Sequence, residues 1–273
     1  PTNSPSVSCI TMSVTGFLTP LKIAARWRSI LCFILFVVLF LNAVLFSNNA
    51  QAGSYTIGVE RLNYQPYFYF EDEQYLGFSR DLLDLFARHY QHQFKYHVLP
   101  VKRLYNVFFN AKVDFKFPDN AYWQASRRTE IPIYYSKPVL DYIDGIMVLA
   151  NGEQSPQTLK HIGTVSGFTP WPYMGMIEEK KIKLTEHFTI KGIIRQVVRQ
   201  RLDGAYINVE VAKYQLRLLG KEGVLRFDRE LPHVDDHYYL SSTKYPEVLT
   251  EFNEFLIKYK NEIDALKHRY QLL

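Results

Sequence analysis

Polar and apolar positions change their period several times along the chain, and the changes mark out its elements. Tyr55 to Glu60 (YTIGVE) alternates with a period of two, which predicts a half-buried strand. Pro66 in NYQPYFYF then blocks regular pairing and leaves Tyr64, Tyr67 and Tyr69 near a strand end. Leu82, Leu83, Phe86 and Tyr90 return at helical spacing, with Ser79 placed to cap the helix and Asp81 to favour the positive end of its dipole. A strand over Phe94 to Leu99, a helix over Val101 to Asn110 and a strand over Val113 to Phe117 follow. IPIYYSKPV and the run 142–150 read as further strands.

The β-α pattern then restarts. His161 to Val165 predicts a strand, Ser166-Gly167 a turn, and Thr169-Pro170 a helix start with Thr169 as cap and proline in the first position. Next come a helix over Ile190 to Leu202, a strand over Ala205 to Val209, a helix over Ala212 to Leu219, a strand over Tyr238 to Ser242 and two amphipathic closing helices. Strands separated by helices predict parallel sheets, and two runs without a low-complexity linker predict two α/β halves knit together.

The N-terminal fifth speaks to location. Lys22, Arg26 and Arg28 precede an apolar run of 17 residues, Ile30 to Phe46, broken only by Asn42; Ala50-Gln51-Ala52 then fits the small-x-small rule for signal cleavage. Residues 1–52 therefore read as a cleaved signal peptide and the protein as periplasmic, the rival reading being a retained anchor. Met12 is the first methionine and a candidate start. Both cysteines, Cys9 and Cys32, lie in this leader, so residues 53–273 use neither disulfides nor thiol chemistry. That segment holds 29 Lys+Arg against 27 Asp+Glu, a balance that gives no reason to expect nucleic acid.

In order and spacing, YTIGVE followed by YQPYFYF, GFSRDLLDLF, LPVKRLYNVFFNAKVDF, YYSKPV with DYIDGIMV, IGTVSGF, RLDGAYINVEVAKYQL and YYLSSTKYPEVLTEFNEFL resemble the family 3 periplasmic solute-binding proteins. The resemblance implies the two-lobed type II periplasmic binding fold, with residues 53–145 plus 241–273 as lobe 1, residues 146–240 as lobe 2, and two crossover strands. It also implies hinge closure over a small polar or anionic ligand, a monomer, an ABC permease partner and no cofactor.

In that family the counterpart of residues 117–128 lines the first-lobe face of the cleft, and an arginine there grips the ligand carboxylate through its planar fork of donors. The family arginine stands seven residues before the serine of the following strand, here Ser136. That position holds Thr129, so Arg128 is the nearest candidate and Arg127 the reserve, against the reading of both as a solvated pair. Asp119 and Asn120 fall in the same stretch, as ligand contacts or as caps of its turn. In the second lobe, amino-acid binders place an aspartate five residues after the one matching Asp203; here that residue is Asn208, which offers no charge to an ammonium. Glu210 could take that place only with a backbone shift. Ser166, Gly167 and Phe168 precede the predicted helix start, where free N–H groups favour an anionic or carbonyl group. Tyr64, Tyr67, Phe117, Tyr122, Trp123 and Trp171 are candidate aromatic walls, each with core packing as its competitor.

Other chemistry is thinly represented. HVDDH (His233 to His237) reads as a polar loop rather than a metal site, and Lys191, Arg195 and Arg199 as a solvated helix face. No nucleophile-elbow, phosphate-loop or zinc-protease motif occurs. A periplasmic enzyme resembling cyclohexadienyl dehydratase, or a sensing module for a membrane partner, remain the alternatives on this fold.

Overall fold

The computed structural model describes residues 53–152, 155 and 158–272; the predicted signal peptide lies outside them. In chain order the elements are β1 (Ser54–Glu60), β2 (Tyr69–Glu71), β3 (Gln74–Leu76), α1 (Phe78–Tyr90), β4 (Gln93–Leu99), α2 (Val101–Phe109), β5 (Phe115–Asp119), α3 (Ala125–Arg128), β6 (Tyr134–Tyr135) and β7 (Leu140–Leu149). They continue with β8 (His161–Val165), a 3-10 turn (Trp171–Tyr173), α4 (Met174–Glu178), β9 (Lys183–His187), α5 (Ile190–Val198), β10 (Gly204–Asn208), α6 (Val209–Leu218), β11 (Leu225–Phe227), β12 (Val234–Ser242), α7 (Pro246–Lys258) and α8 (Lys260–Arg269).

A ten-stranded sheet runs through both halves of the fold: eight strands in the order β4-β1-β5-β12-β7-β10-β8-β9, with β6 on β12 and β11 on β7. β4, β1 and β5 are mutually parallel, as are β10, β8 and β9, which is the outcome the two β-α runs predict. Between them lie two antiparallel strands: β7 pairs with β12 from Leu140↔Tyr238 to Asp144↔Val234, then with β10 from Asp144↔Asn208 to Met147↔Ala205. Asp144 therefore sits where β7 changes partner between the two halves.

Aromatic rings make much of the core. Phe86 on α1 packs 5.1 Å from Phe252 and 5.3 Å from Phe255, both on α7, which fastens the last helices to the first half. On α5 the apolar stripe Ile190, Ile193, Ile194 and Val197 is buried, and Thr189 caps the helix by accepting from the Gly192 amide.

Several local expectations are corrected. Ser79 is not a cap: the helix begins at Phe78, two residues earlier than a Ser79 cap requires, because Gly77, at φ 102° and ψ −172°, turns the chain into it. A Cβ there would meet the Phe68 Cα at 2.9 Å, so only glycine fits, and Ser79 is buried inside the first turn. Thr169 does not cap a long helix either, because Pro170 and Pro172 each lack an N–H and the chain makes a 3-10 turn before the five-residue α4. The helix expected over 190–202 ends at Val198, and α6 starts at Val209, directly after Asn208. HVDDH is no loop, since β12 starts at Val234 and takes in most of it.

Candidate functional site

Charged side chains collect where β1 and β5 end. Glu60 closes β1 at 3% exposure; Lys116 and Asp119, on β5, are wholly buried. Lys116 breaks an apolar strand (Phe115, Phe117), so burying its ammonium requires local anions and acceptors. Its Nζ donates to the Pro118 carbonyl (2.6 Å) and lies 3.3 Å from Asp119 and 3.8 Å from Glu60. It also stands over the rings of Tyr105 (4.8 Å) and Trp123 (5.3 Å).

Arg128, on α3, turns inward. Its Nη2 and Nη1 meet the two oxygens of Asp119 at 2.7 and 3.1 Å, its Nε donates to the Trp123 carbonyl at 2.5 Å, and Nη1 also donates to the Tyr135 hydroxyl at 2.7 Å. The fork expected to grip a ligand carboxylate is thus occupied by one from its own chain. Burial alone would raise the Asp119 carboxyl, but Lys116, Arg128 and the Ser241 hydroxyl at 2.6 Å outweigh it and hold the group below its usual range. Arg127, the reserve candidate, lies near the surface, donating to Asn106 at 3.0 Å with its guanidinium 4.5 Å from the Phe109 ring centre.

The remaining predicted residues divide. Tyr64, Tyr67 and Phe117 are buried. The first two carry the first half's aromatic surface onto the second: Tyr64 meets Phe168 at 5.8 Å and Tyr67 meets Tyr238 edge-on at 5.3 Å. Asn120 is a cap, accepting from the Tyr122 amide and donating to Asp236 and the His237 carbonyl. Tyr122 and Trp171 pair on the surface, 52% and 45% exposed, so neither walls an interior site. Asn208 caps α6 by accepting from the Glu210 and Val211 amides, and its Nδ2 donates to the Tyr238 hydroxyl. Glu210 points outward and pairs with Lys213.

The anion site expected at Ser166, Gly167 and Phe168 lacks free donors. Their N–H groups go to the His187 carbonyl (2.9 Å), Glu186 Oε1 (2.9 Å) and the Val165 carbonyl (2.9 Å), and no long helix follows to supply a dipole.

An enclosed cavity of about 20 Å³ lies between the halves. Glu60, Tyr105 and Trp123 line it from the first half, Phe168, Thr169 and Tyr206 from the second, and Asp144 from the point on β7 where the strand passes between them. That space admits about one water-sized group. Next to it, Gln124 reaches across to the Gly167 carbonyl and to Thr169 Oγ1 at 3.4 Å, and Lys102 pairs with Glu186 at 2.5 Å. The larger basic groove of about 650 Å³ along α5, which gathers Arg61, Lys191, Arg195 and Arg199, is open and holds no buried polar group in need of a partner.

Glu60 and Asp144 are the unusual members. Burial drives the Glu60 carboxyl up to about 7, Lys116 partly offsetting it and Asp119 adding to it. Burial likewise pushes Asp144 up to about 7, opposed by the Asn208 amide and reinforced by Glu60. Asp144 Oδ1 has no hydrogen-bond partner although the residue is only 6% exposed. Sequence reasoning missed Glu60, Lys116 and Asp144. Their signal was a charge inside or ending an apolar strand, in YTIGVE, FKF and YIDGIMV.

No family model matches this chain, and neither does any curated protein. Solved structures do match. An arginine 3rd transport system periplasmic binding protein from Legionella pneumophila aligns over 80% of this chain and 100% of its own, at 16% identity and a TM-score of 0.63. An ancestral amino acid-binding protein, described as a precursor of cyclohexadienyl dehydratase, aligns over 80% and 95% at 19% identity and a TM-score of 0.62. A histidine kinase sensor domain with similarity to periplasmic binding proteins aligns over 80% and 95% at 15% identity and a TM-score of 0.66. The chain has the two-lobed periplasmic binding protein fold. At these identities the likeness establishes the fold, and function rests on the site.

Proposed function

We propose that the protein is a periplasmic solute-binding protein that captures a small polar ligand by closing two lobes over it, and delivers it to an ABC-type permease. The lobes are residues 53–145 with 241–273, and residues 146–240; closure bends β7 and β12, which run between them. The carrying observation is the enclosed cavity between the halves where the buried carboxyls of Glu60, at the end of β1, and Asp144, at the crossover on β7, converge, one with an oxygen left unpartnered. A buried polar atom without a partner is unfavourable, and a ligand from solution can supply the partner. The solute-binding neighbours and the aromatic contacts between the halves support the same reading. A thermal-shift screen of amino acids, organic acids and amines tests it: a ligand present above its Kd raises Tm. A flat response across all three classes refutes it.

A second reading has one specific observation in its favour. Two carboxyls poised near pH 7 on one cavity suit general acid-base chemistry, and one structural neighbour is described as a dehydratase precursor. Steady turnover of a compound found in the screen would select this reading over simple capture.

A further inference from the structure

We propose that the enclosed cavity is a subsite for the cationic head of the ligand, so that the solute is an amine without an adjoining carboxylate rather than an organic anion or an amino acid. The inference rests on the proposed ligand site and names the chemistry of what enters it.

Within the buried cluster, three carboxylates (Glu60, Asp119, Asp144) stand against two cations, Lys116 and Arg128. Asp119 takes both Arg128 and Lys116 at 3.3 Å or less, while Lys116 stands 3.8 Å from Glu60. The surplus negative charge therefore falls on the pair at the cavity, Glu60 and Asp144. Among the described residues, nothing cationic faces Asp144: the titratable groups sharing its surroundings are Glu60 from β1, Tyr64 and Tyr67 from the segment after it, Tyr142 on its own strand, Tyr206 on β10 and Tyr238 on β12.

The second line is the absence of a partner for an anion. The Arg128 guanidinium is already engaged by Asp119, the Trp123 carbonyl and the Tyr135 hydroxyl, and the amides of residues 166–168 are already bonded. A carboxylate entering here would meet two buried carboxyls and no free donor of positive charge. An ammonium would meet Asp144 Oδ1, Glu60 and the rings of Tyr105, Trp123 and Tyr206, a set that favours a desolvated cation on both electrostatic and cation–π grounds. At about 20 Å³ the closed cavity takes the head alone, so the body of the ligand extends past the Gln124–Thr169 contact between the halves.

Without ligand, a proton supplies the missing positive charge, which accords with the raised carboxyls of Glu60 and Asp144. Cation binding then displaces that proton. The amine itself stays protonated to about pH 10, so affinity rises with pH through about 7 and levels above about 8.

The test is thermal shift and calorimetry on the purified protein with methylammonium, 1,4-diaminobutane, L-arginine, L-glutamine and succinate. The expected result is binding of 1,4-diaminobutane, about fivefold tighter at pH 7 than at pH 6, with proton release seen as buffer-dependent heat. Asp144→Asn weakens it at least tenfold; Glu60→Gln, as a second variant, weakens it and halves or removes the proton release. If glutamine or succinate binds and needs Arg128, the solute-binding reading stands and this inference falls. Wild-type affinity in Asp144→Asn, or a flat pH profile, also overturns it. If no probe of any class binds, both readings fall.

Discussion

Asp144 carries a stability prediction that needs no ligand. Its carboxyl is raised in the folded protein to about 7, against about 4 in an unfolded chain. The native state therefore binds the proton more tightly, and its stabilising effect is complete below about pH 4 and lost as pH rises through 7. Between pH 5 and pH 8 the unfolded chain holds this carboxyl ionised throughout, while the native protein must ionise it in a buried site near pH 7. Two pH units at 1.36 kcal/mol each give roughly 2–3 kcal/mol of stability lost across that window. Asp144→Asn keeps the shape and removes the titration, so its stability relative to wild type should improve by the same amount from pH 5 to pH 8. For a domain of this size the gain corresponds to roughly 5–10 °C in Tm. Differential scanning calorimetry of both proteins at the two pH values measures it. A gap between variant and wild type that is the same at pH 5 and pH 8 would refute the claim that Asp144 is a strained, proton-holding group.

Three further substitutions probe the frame of the site. Arg128→Ala leaves Asp119 buried with Lys116 as its one remaining charged partner, beside the Ser241 hydroxyl, and should cost about 3 kcal/mol in urea unfolding; the double change Arg128→Met with Asp119→Leu should recover much of that, and a loss no smaller than the single variant's argues against the pair as the cause. Gly77→Ala forces a Cβ onto the Phe68 backbone at positive φ and should destabilise on the order of 2 kcal/mol; wild-type Tm would show that the turn relaxes freely. Asn208→Ala removes the α6 cap and the Tyr238 partner together, with about 2 kcal/mol expected, and a change below about 0.5 kcal/mol would deny it a structural role.

Much of the architecture was legible because it is written in local periodicity. The stripes on α1 and α5 and the alternation in β1 depend on spacing alone. Boundaries were harder where backbone geometry decides: Gly77 moved the start of α1, and Pro170 with Pro172 replaced a helix by a 3-10 turn. The site was read less well. Arg128 and Asp119 were both picked out, but their pairing was not, because nine residues of sequence separation say nothing of two side chains meeting at 2.7 Å. Asp144 was passed over inside a strand assigned for its apolar neighbours. A charge in such a run deserved the opposite treatment, since burying it is unfavourable and the fold must offer a compensation.

The clasp between Asp119 and Arg128 also bears on how such a cleft changes its diet over generations. The aspartate holds the guanidinium edge that an incoming acid would need. Exchanging that one residue for a small neutral one would vacate the edge and leave two cations short of company until an acid arrived. On the amine reading proposed above, one substitution then separates a cleft that takes cations from one that takes acids.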